Sequence, residues 1–244
     1  PTIPLFVQQS TIRNNGAGGL HSHGGVVINN LIADNLLNVT SDINGVGIAN
    51  DGGGRIEGNT VRDNRVTSEG WNYTVRGVGI YSSGGRVANN TVERNVGENQ
   101  YYLYGGGIYA TGGEVQNNLV QENQLRQANY AYGGGIFADG SQVENNLVQE
   151  NQLRPVDDAY GGGIYTEGGS QITGNTVNTN TVSAGYTSAG GGIYADSDTV
   201  RKNIIHQNST ESHSQNAVGG GLYLNGGVSQ ANHLLRNSAD RGGG

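Results

Sequence analysis

Large apolar residues recur along this chain at a nearly constant step, each just after a run of glycines. Leu20, Ile48, Ile80, Ile108, Ile136, Ile164, Ile193 and Leu222 are separated by 28, 32, 28, 28, 28, 29 and 29 residues. The preceding word is GGGIY at Gly105 and Gly161 and GGGIF at Gly133. Gly190 and Gly219 open two more copies, and Gly45 and Gly77 open degraded ones. A fixed period of this size marks a solenoid, whose repeats bury their apolar faces only against their neighbours.

The repeat from Gly105 to Tyr132 shows what each unit is. It opens GGGIYA, turns at Thr111-Gly112-Gly113, runs EVQ, turns at Asn117-Asn118 and runs LVQE to Asn123 before looping out. Short runs rich in β-branched and aromatic residues, bounded by Gly or Asn, predict strands. Nowhere do apolar residues hold the i, i+3, i+4, i+7 spacing of a helix. Three strands per turn, each paired with its equivalent about 4.8 Å away, predict an all-β, single-stranded parallel β-helix. It is expected to span 1-244 as one domain of about nine coils of ~28 residues, with no capping helix. The second strand supplies a column from Val7 and Val27 through Val115 to Val200, and the third a column from Ile12 through Val120 to Leu234. With the Ile column these line a narrow interior, where β-branched residues have few rotamers to lose.

Two asparagine columns accompany them. One runs from Asn30 through Asn118 to Asn232, with Ser10 in its first place; the other runs from Asn15 through Asn123 to Asn237. Repetition in every coil argues for stacked amide ladders and corner residues and against a catalytic asparagine. Segments of mostly nine residues, such as Leu36–Asn44 and Gln124–Tyr132, read as loops leaving one corner. The longest, after Asn64, holds Trp71 and Tyr73.

Composition narrows the setting. Only 34% of residues are apolar and 44 are glycine, which would favour disorder if the apolar positions were not in register. No cysteine is present, which excludes disulfides and thiolate chemistry. No methionine is present either, so a chain starting at Pro1 reads as a processed or excised product, with removal of a secretory signal as the expected cause. No apolar run is long enough for a transmembrane helix. Net charge is −7 and Lys202 is the only lysine, against a nucleic-acid partner.

The word GGGIY, followed by an apolar residue and then Asn-x-Val-x-x-Asn (Asn118, Val120, Asn123), resembles the secreted right-handed β-helix repeats of pectin-lyase-like and polymorphic outer-membrane-protein type. The resemblance covers nearly the whole chain. It implies a right-handed coil and an extracellular setting, and leaves function open, because adhesins, filament proteins and polysaccharide enzymes share the scaffold. One departure is Val or Ile three residues before the final Asn, where Phe is common in the outer-membrane-protein pattern.

Candidate chemistry is sparse. Glycosidic-bond cleavage needs paired carboxylates, and the first strand reads as glycine, isoleucine and tyrosine. Asp157-Asp158 is the one adjacent acidic pair, read as solvated charge in a loop. Asp34, Asp63, Glu122 and Glu150 make an interrupted acidic column, read as a solvated edge ahead of a calcium site. His21 and His23 have no third ligand at metal spacing, and His206, His213 and His233 occupy unlike positions. The glycine triplets lack the Gly-Lys-Ser/Thr of a phosphate loop. No metal, no cofactor and no catalytic residue is expected.

Tyr81, Tyr109, Phe137, Tyr165, Tyr194 and Tyr223 follow the Ile column by one residue and so lie on the outer face. They read as a self-stacking ladder covered by adjacent loops, ahead of a contact stripe for sugar rings or a second rod. Tyr104, Tyr132 and Tyr160 form a shorter column. Gly242, Gly243 and Gly244 followed by a second copy's Pro1, Thr2, Ile3 and Leu5 would approximate the internal word GGG-IYATGGE-V. The sequence therefore predicts a non-enzymatic extracellular structural protein that stacks head to tail on itself. A surface adhesin or carbohydrate-binding segment, with polysaccharide or a cell surface as partner, is the alternative, and a polysaccharide lyase or hydrolase ranks third.

Overall fold

The computed structural model describes residues 5–240 apart from 69, 71 and 215. Every strand pairs in parallel with its counterpart one repeat away: Ile80 lies opposite Ile108, Ile108 opposite Ile136, and Ile136 opposite Ile164. The result is an all-β parallel β-helix of about eight turns, with no helix among the described residues.

The turn has more walls than the sequence predicts. The first and second strands of the repeat merge into one sheet of 15 strands, because Ile80–Ala88 and Ile108–Gln116 run unbroken through the corner between them. The third strand builds a sheet of nine strands. The segments expected to be loops form two further sheets, of eight and seven strands. In the segment Gln124–Tyr132 these are the strands Gln124–Arg126 and Tyr130–Tyr132, each with its middle residue buried and its flanks half-buried. Leu36–Asn44 likewise holds Leu36–Val39 and Ile43–Asn44. Variation is therefore carried by a wall of the solenoid and is not confined to projecting loops. Trp71, in the longest of these segments, lies outside the described residues, while Tyr73 packs against the core beneath this wall. The sheets of nine, eight and seven strands make about eight turns among the described residues, close to the expected number.

Two cores run side by side along the axis. The larger contains the three predicted columns, with Ile136, Val143 and Val148 fully buried. The smaller, under the former loops, contains Val78, Leu103, Leu125, Ala131, Leu153 and Val182. Between them runs the glycine triplet, and its three positions have different jobs. Gly105 has φ +65, a left-handed turn that disfavours any side chain. A Cβ at Gly107 would come 2.6 Å from Val120 Cγ1, 2.7 Å from Gly135 O and 3.0 Å from Asn123 Nδ2, so it would strike the larger core. Gly106 faces the smaller core, 3.3 Å from Leu125 Cγ by the same construction.

The middle position trades volume with the wall opposite. Where it is Gly106 or Gly134, the facing residue is Leu125 or Leu153; where it is Val78, the facing residue is Gly97. A Cβ at Gly97 would sit 3.0 Å from both Val78 Cγ2 and Leu125 Cδ2. Gly97→Leu is expected to lower stability by about 1–3 kcal/mol through overpacking. Adding Val78→Gly recreates the pairing of the next coil and should recover most of that loss. Chemical denaturation of the three variants measures the coupling.

Each inner ladder asparagine is bonded above and below. Asn118 Nδ2 donates to Asn146 Oδ1 at 3.0 Å and to Val87 O at 2.9 Å, and Asn118 N donates to the same Oδ1 at 2.9 Å. In turn Asn118 Oδ1 accepts from Asn90 N and Nδ2. The left-handed corner residue is the one before the ladder asparagine: Asn117 and Glu122 both have φ near +56. The column Asp34, Asp63, Arg94, Glu122, Glu150, Thr179, Gln207 and Arg236 is that corner, each residue with φ between 53 and 57. Its mixed chemistry follows from a shared backbone requirement and outward side chains.

Candidate functional site

The outer face of the first strand carries the most organised surface chemistry. Successive rings from Tyr81 to Tyr223 lie at centroid distances of 5.4, 4.7, 5.1, 5.0 and 5.1 Å, all stacked. In-register parallel pairing places identical residues one rung apart, and the rung spacing matches aromatic stacking. Tyr104, Tyr132 and Tyr160 pack edge-on against this ladder, at 5.2 Å from Tyr104 to Phe137, 5.3 Å from Tyr132 to Tyr165 and 5.2 Å from Tyr160 to Tyr194. They come from the seven-stranded sheet, so the cover is a wall and not a loop. Phe137 and Tyr165 are buried, and the other four of the six are half-buried. Ring faces are turned to one another, which leaves mainly ring edges and hydroxyls outward. Burial pushes the Tyr194 and Tyr104 phenols up to about 12 and the Tyr165 phenol higher still.

Two residues beyond the ladder, on the same face, the structure assembles carboxylates. Asp139 lies opposite Glu167 in the register, and Asp196 follows Glu167 one coil on. Tyr165 Oη donates to Glu167 Oε2 at 3.1 Å. Burial, then the charges of Asp139, Asp196 and Asp198, raise the Glu167 carboxyl above its ordinary value. The expectation that the first strand offers no carboxylates is thus corrected. The signal was present three residues after Ile136, Ile164 and Ile193, but Ser83, Thr111 and Asn225 occupy the same column elsewhere.

The other singled-out residues stay apart. Asp157 Oδ2 accepts from Asn129 Nδ2 and Asp158 Oδ1 from Thr187 N, both at 2.9 Å, so each braces its neighbouring coil. His21 Nε2 lies 2.8 Å from Asp51 Oδ2 on the surface. His206 contacts Gln207, and His213 contacts the carbonyl of Ala184. Among the described residues, no three His, Asp or Glu side chains converge as a metal-ligand set.

The end rungs are the second candidate site. Of the predicted junction, Pro1, Thr2, Ile3, Gly242, Gly243 and Gly244 lie outside the described residues. Leu5 is described, and its carbonyl accepts from Val26 N at 2.8 Å. In the inward column that holds the fully buried Val120 and Val148, Ile12 at one end is half-buried and Leu234 at the other is 47% exposed. The ladders give these faces opposite character, because every amide-to-amide bond runs from Nδ2 to the Oδ1 of the higher-numbered coil, while the second Nδ2 hydrogen bonds a carbonyl of the lower one. Asn15 donates to Asn35 at 2.8 Å, and its own Oδ1 receives nothing among the described residues. Asn237 Nδ2 reaches back to Ile205 O at 2.9 Å, and its backbone N–H has no partner among the described residues.

Fold and faces together define a parallel β-solenoid repeat protein. No protein-family model matches the chain, and no curated protein or solved structure shows significant similarity to it.

Proposed function

We propose that this is a non-enzymatic extracellular structural protein whose subunits stack head to tail into a filament. The observation that carries the reading is the one-way amide ladder: acceptors point out of the Phe6–Asn15 coil and donors out of the Leu222–Asp240 coil. A second copy fits because the junction would reuse the inter-coil chemistry. Val228–Gln230 would pair with Phe6–Gln8, and His233–Leu235 with Thr11–Arg13, continuing two existing sheets. Asn237 would donate to Asn15, and Asn232 would exchange its bond to Ser229 Oγ for one to the Ser10 hydroxyl. The extracellular setting rests on the resemblance to secreted β-helix repeats and on the acidic composition. A glycan-binding reading would draw on the tyrosine column, whose ring faces are already occupied by their neighbours.

Negative-stain electron microscopy across a concentration series tests the proposal. Filaments with an axial repeat near 40 Å, from eight to nine coils at about 4.8 Å, are expected. Isolated short rods at every concentration would overturn it. Turnover of an acidic polysaccharide, abolished by Glu167→Gln, would replace it with an enzyme.

A further inference from the structure

The ion pairs and the isolated carboxylates of this rod are segregated along its length. Toward the N-terminal side, Asp63 accepts from Arg94 Nε at 2.9 Å and from Arg62 Nη1 at 2.6 Å. One coil on, Glu98 is clamped between Arg65 and Arg126, the latter at 2.9 Å. Arg94 also bonds Glu93 at 2.8 Å, so Arg62, Asp63, Arg94 and Glu93 form one connected set, with Arg65, Glu98 and Arg126 a second. Burial alone would raise both carboxyls, yet the hydrogen bonds from Arg94 and Arg62, and from Arg65 and Arg126, hold Asp63 and Glu98 below their ordinary values.

Further along, the pattern inverts. Asp198 is 2% exposed and ends a short interior ladder: Ser141 N donates to Ser170 Oγ at 3.1 Å, and Ser170 N to Asp198 Oδ1 at 2.6 Å. Asp198 Oδ2 and the fully buried Thr166 Oγ1 neighbour one another but have no well-formed hydrogen bond. The charged groups facing this corner from the adjoining coils are Glu167, Asp139 and Asp196, all acidic. Asn225 Nδ2 and Ser197 Oγ each donate to Asp196 Oδ1 at 3.2 Å, and Tyr165 to Glu167, but these donors are neutral. No arginine, lysine or histidine forms an ion pair with any of these four carboxylates among the described residues. Burial is the main cause that raises Asp198 and Glu167.

We propose that the two halves of the rod respond to acid in opposite directions: the coils around Asp198 and Glu167 tighten as pH falls, while those around Asp63 and Glu98 loosen. The sign follows from linkage. A carboxyl raised in the folded state stabilises at low pH and loses that contribution as pH rises through its folded value. A carboxyl depressed in the folded state stabilises above its unfolded value and loses that contribution as pH falls through its folded one. Tightening therefore comes first, on going from neutral toward about pH 4.5, and loosening follows below that. Neighbour-only contacts in a solenoid let the two responses coexist in one molecule.

Hydrogen exchange with mass-spectrometric readout, expressed as protection factors to remove the intrinsic pH dependence, tests this on the intact chain. Between pH 7 and about 4.5, protection over 164–200 should rise by up to roughly ten-fold for each unit by which a carboxyl is raised. Protection over 60–126 should stay level and then fall below about pH 4. Asp198→Asn should raise protection at pH 7 and blunt the acid gain, because an amide fits beside Thr166 uncharged. The surface change Glu167→Gln should blunt it further without entering the core. A parallel decline of both segments on acidification, or a gain that survives both substitutions, would overturn the proposal.

Discussion

Asn123→Ala is expected to cost about 4 kcal/mol or more, well above a typical surface change. The side chain serves its neighbours on both sides. Its Oδ1 accepts from Asn95 N at 3.0 Å and Asn95 Nδ2 at 2.9 Å. Its Nδ2 donates to Val92 O and Asn151 Oδ1, both at 3.0 Å. Truncation leaves three buried groups without these partners: the Asn95 N–H, one amide hydrogen of Asn95 and the Val92 carbonyl. Each such orphan costs about 1–3 kcal/mol. Asn123→Asp separates shape from chemistry, because it keeps the acceptors and removes the donors. It should fall below the wild type by less than the alanine variant at low pH, and by more at neutral pH. Denaturant titrations at two pH values measure this, and equal stability of the alanine variant would show that the ladder contributes nothing.

Ile136→Asp should be of similar size, about 3–5 kcal/mol, by a different route. Ile136 is fully buried, with Ile108 and Ile164 as its counterparts in the adjoining coils. The substitution removes apolar contact area and places a carboxylate where no cation reaches. Because solenoid coils depend on their neighbours, the defect should split one unfolding transition into two, with residues on either side of coil 133–160 melting apart. Hydrogen exchange reports the location. Gln142→Asp, at an exposed outer-face position of the same coil, should cost less and leave the transition single.

The contrast between those two positions shows what the chain reveals before folding. Positions filled by one residue class in nearly every repeat are legible: isoleucine, valine and the two asparagines announce the larger core and its ladders. The smaller core is nearly invisible, because its inward positions hold Leu125, Ala131, Gly97, Ser188 and Thr210, which share no class. Its strands are only two to four residues long, too short for alternation to stand out from loop composition. The volume exchange between Val78 and Gly97 is likewise a pair property, hidden until both are seen to face one cavity. Asp139, Glu167 and Asp196 escaped notice because the outer face tolerates serine, threonine and asparagine in the same column. The left-handed corner is ambiguous by one residue in sequence, since the pair Asn117-Asn118 does not say which member bends the chain and which points inward.

The one-way asparagine ladders also make the rod an electrical object. Backbone hydrogen bonds between parallel strands run both up and down the axis, so their contributions largely cancel. The amide rows do not cancel: at Asn90, Asn118, Asn146 and Asn175 every C=O points to the previous coil and one N–H of each to the next. With about 3.5 D per amide unit, two such rows sum to a permanent moment along the axis, positive toward the C-terminal coil and negative toward the N-terminal one. That is the reverse of an α-helix, and it is independent of pH, unlike the moment of the ionised side chains. In an applied field the rods would align with a sense as well as an axis.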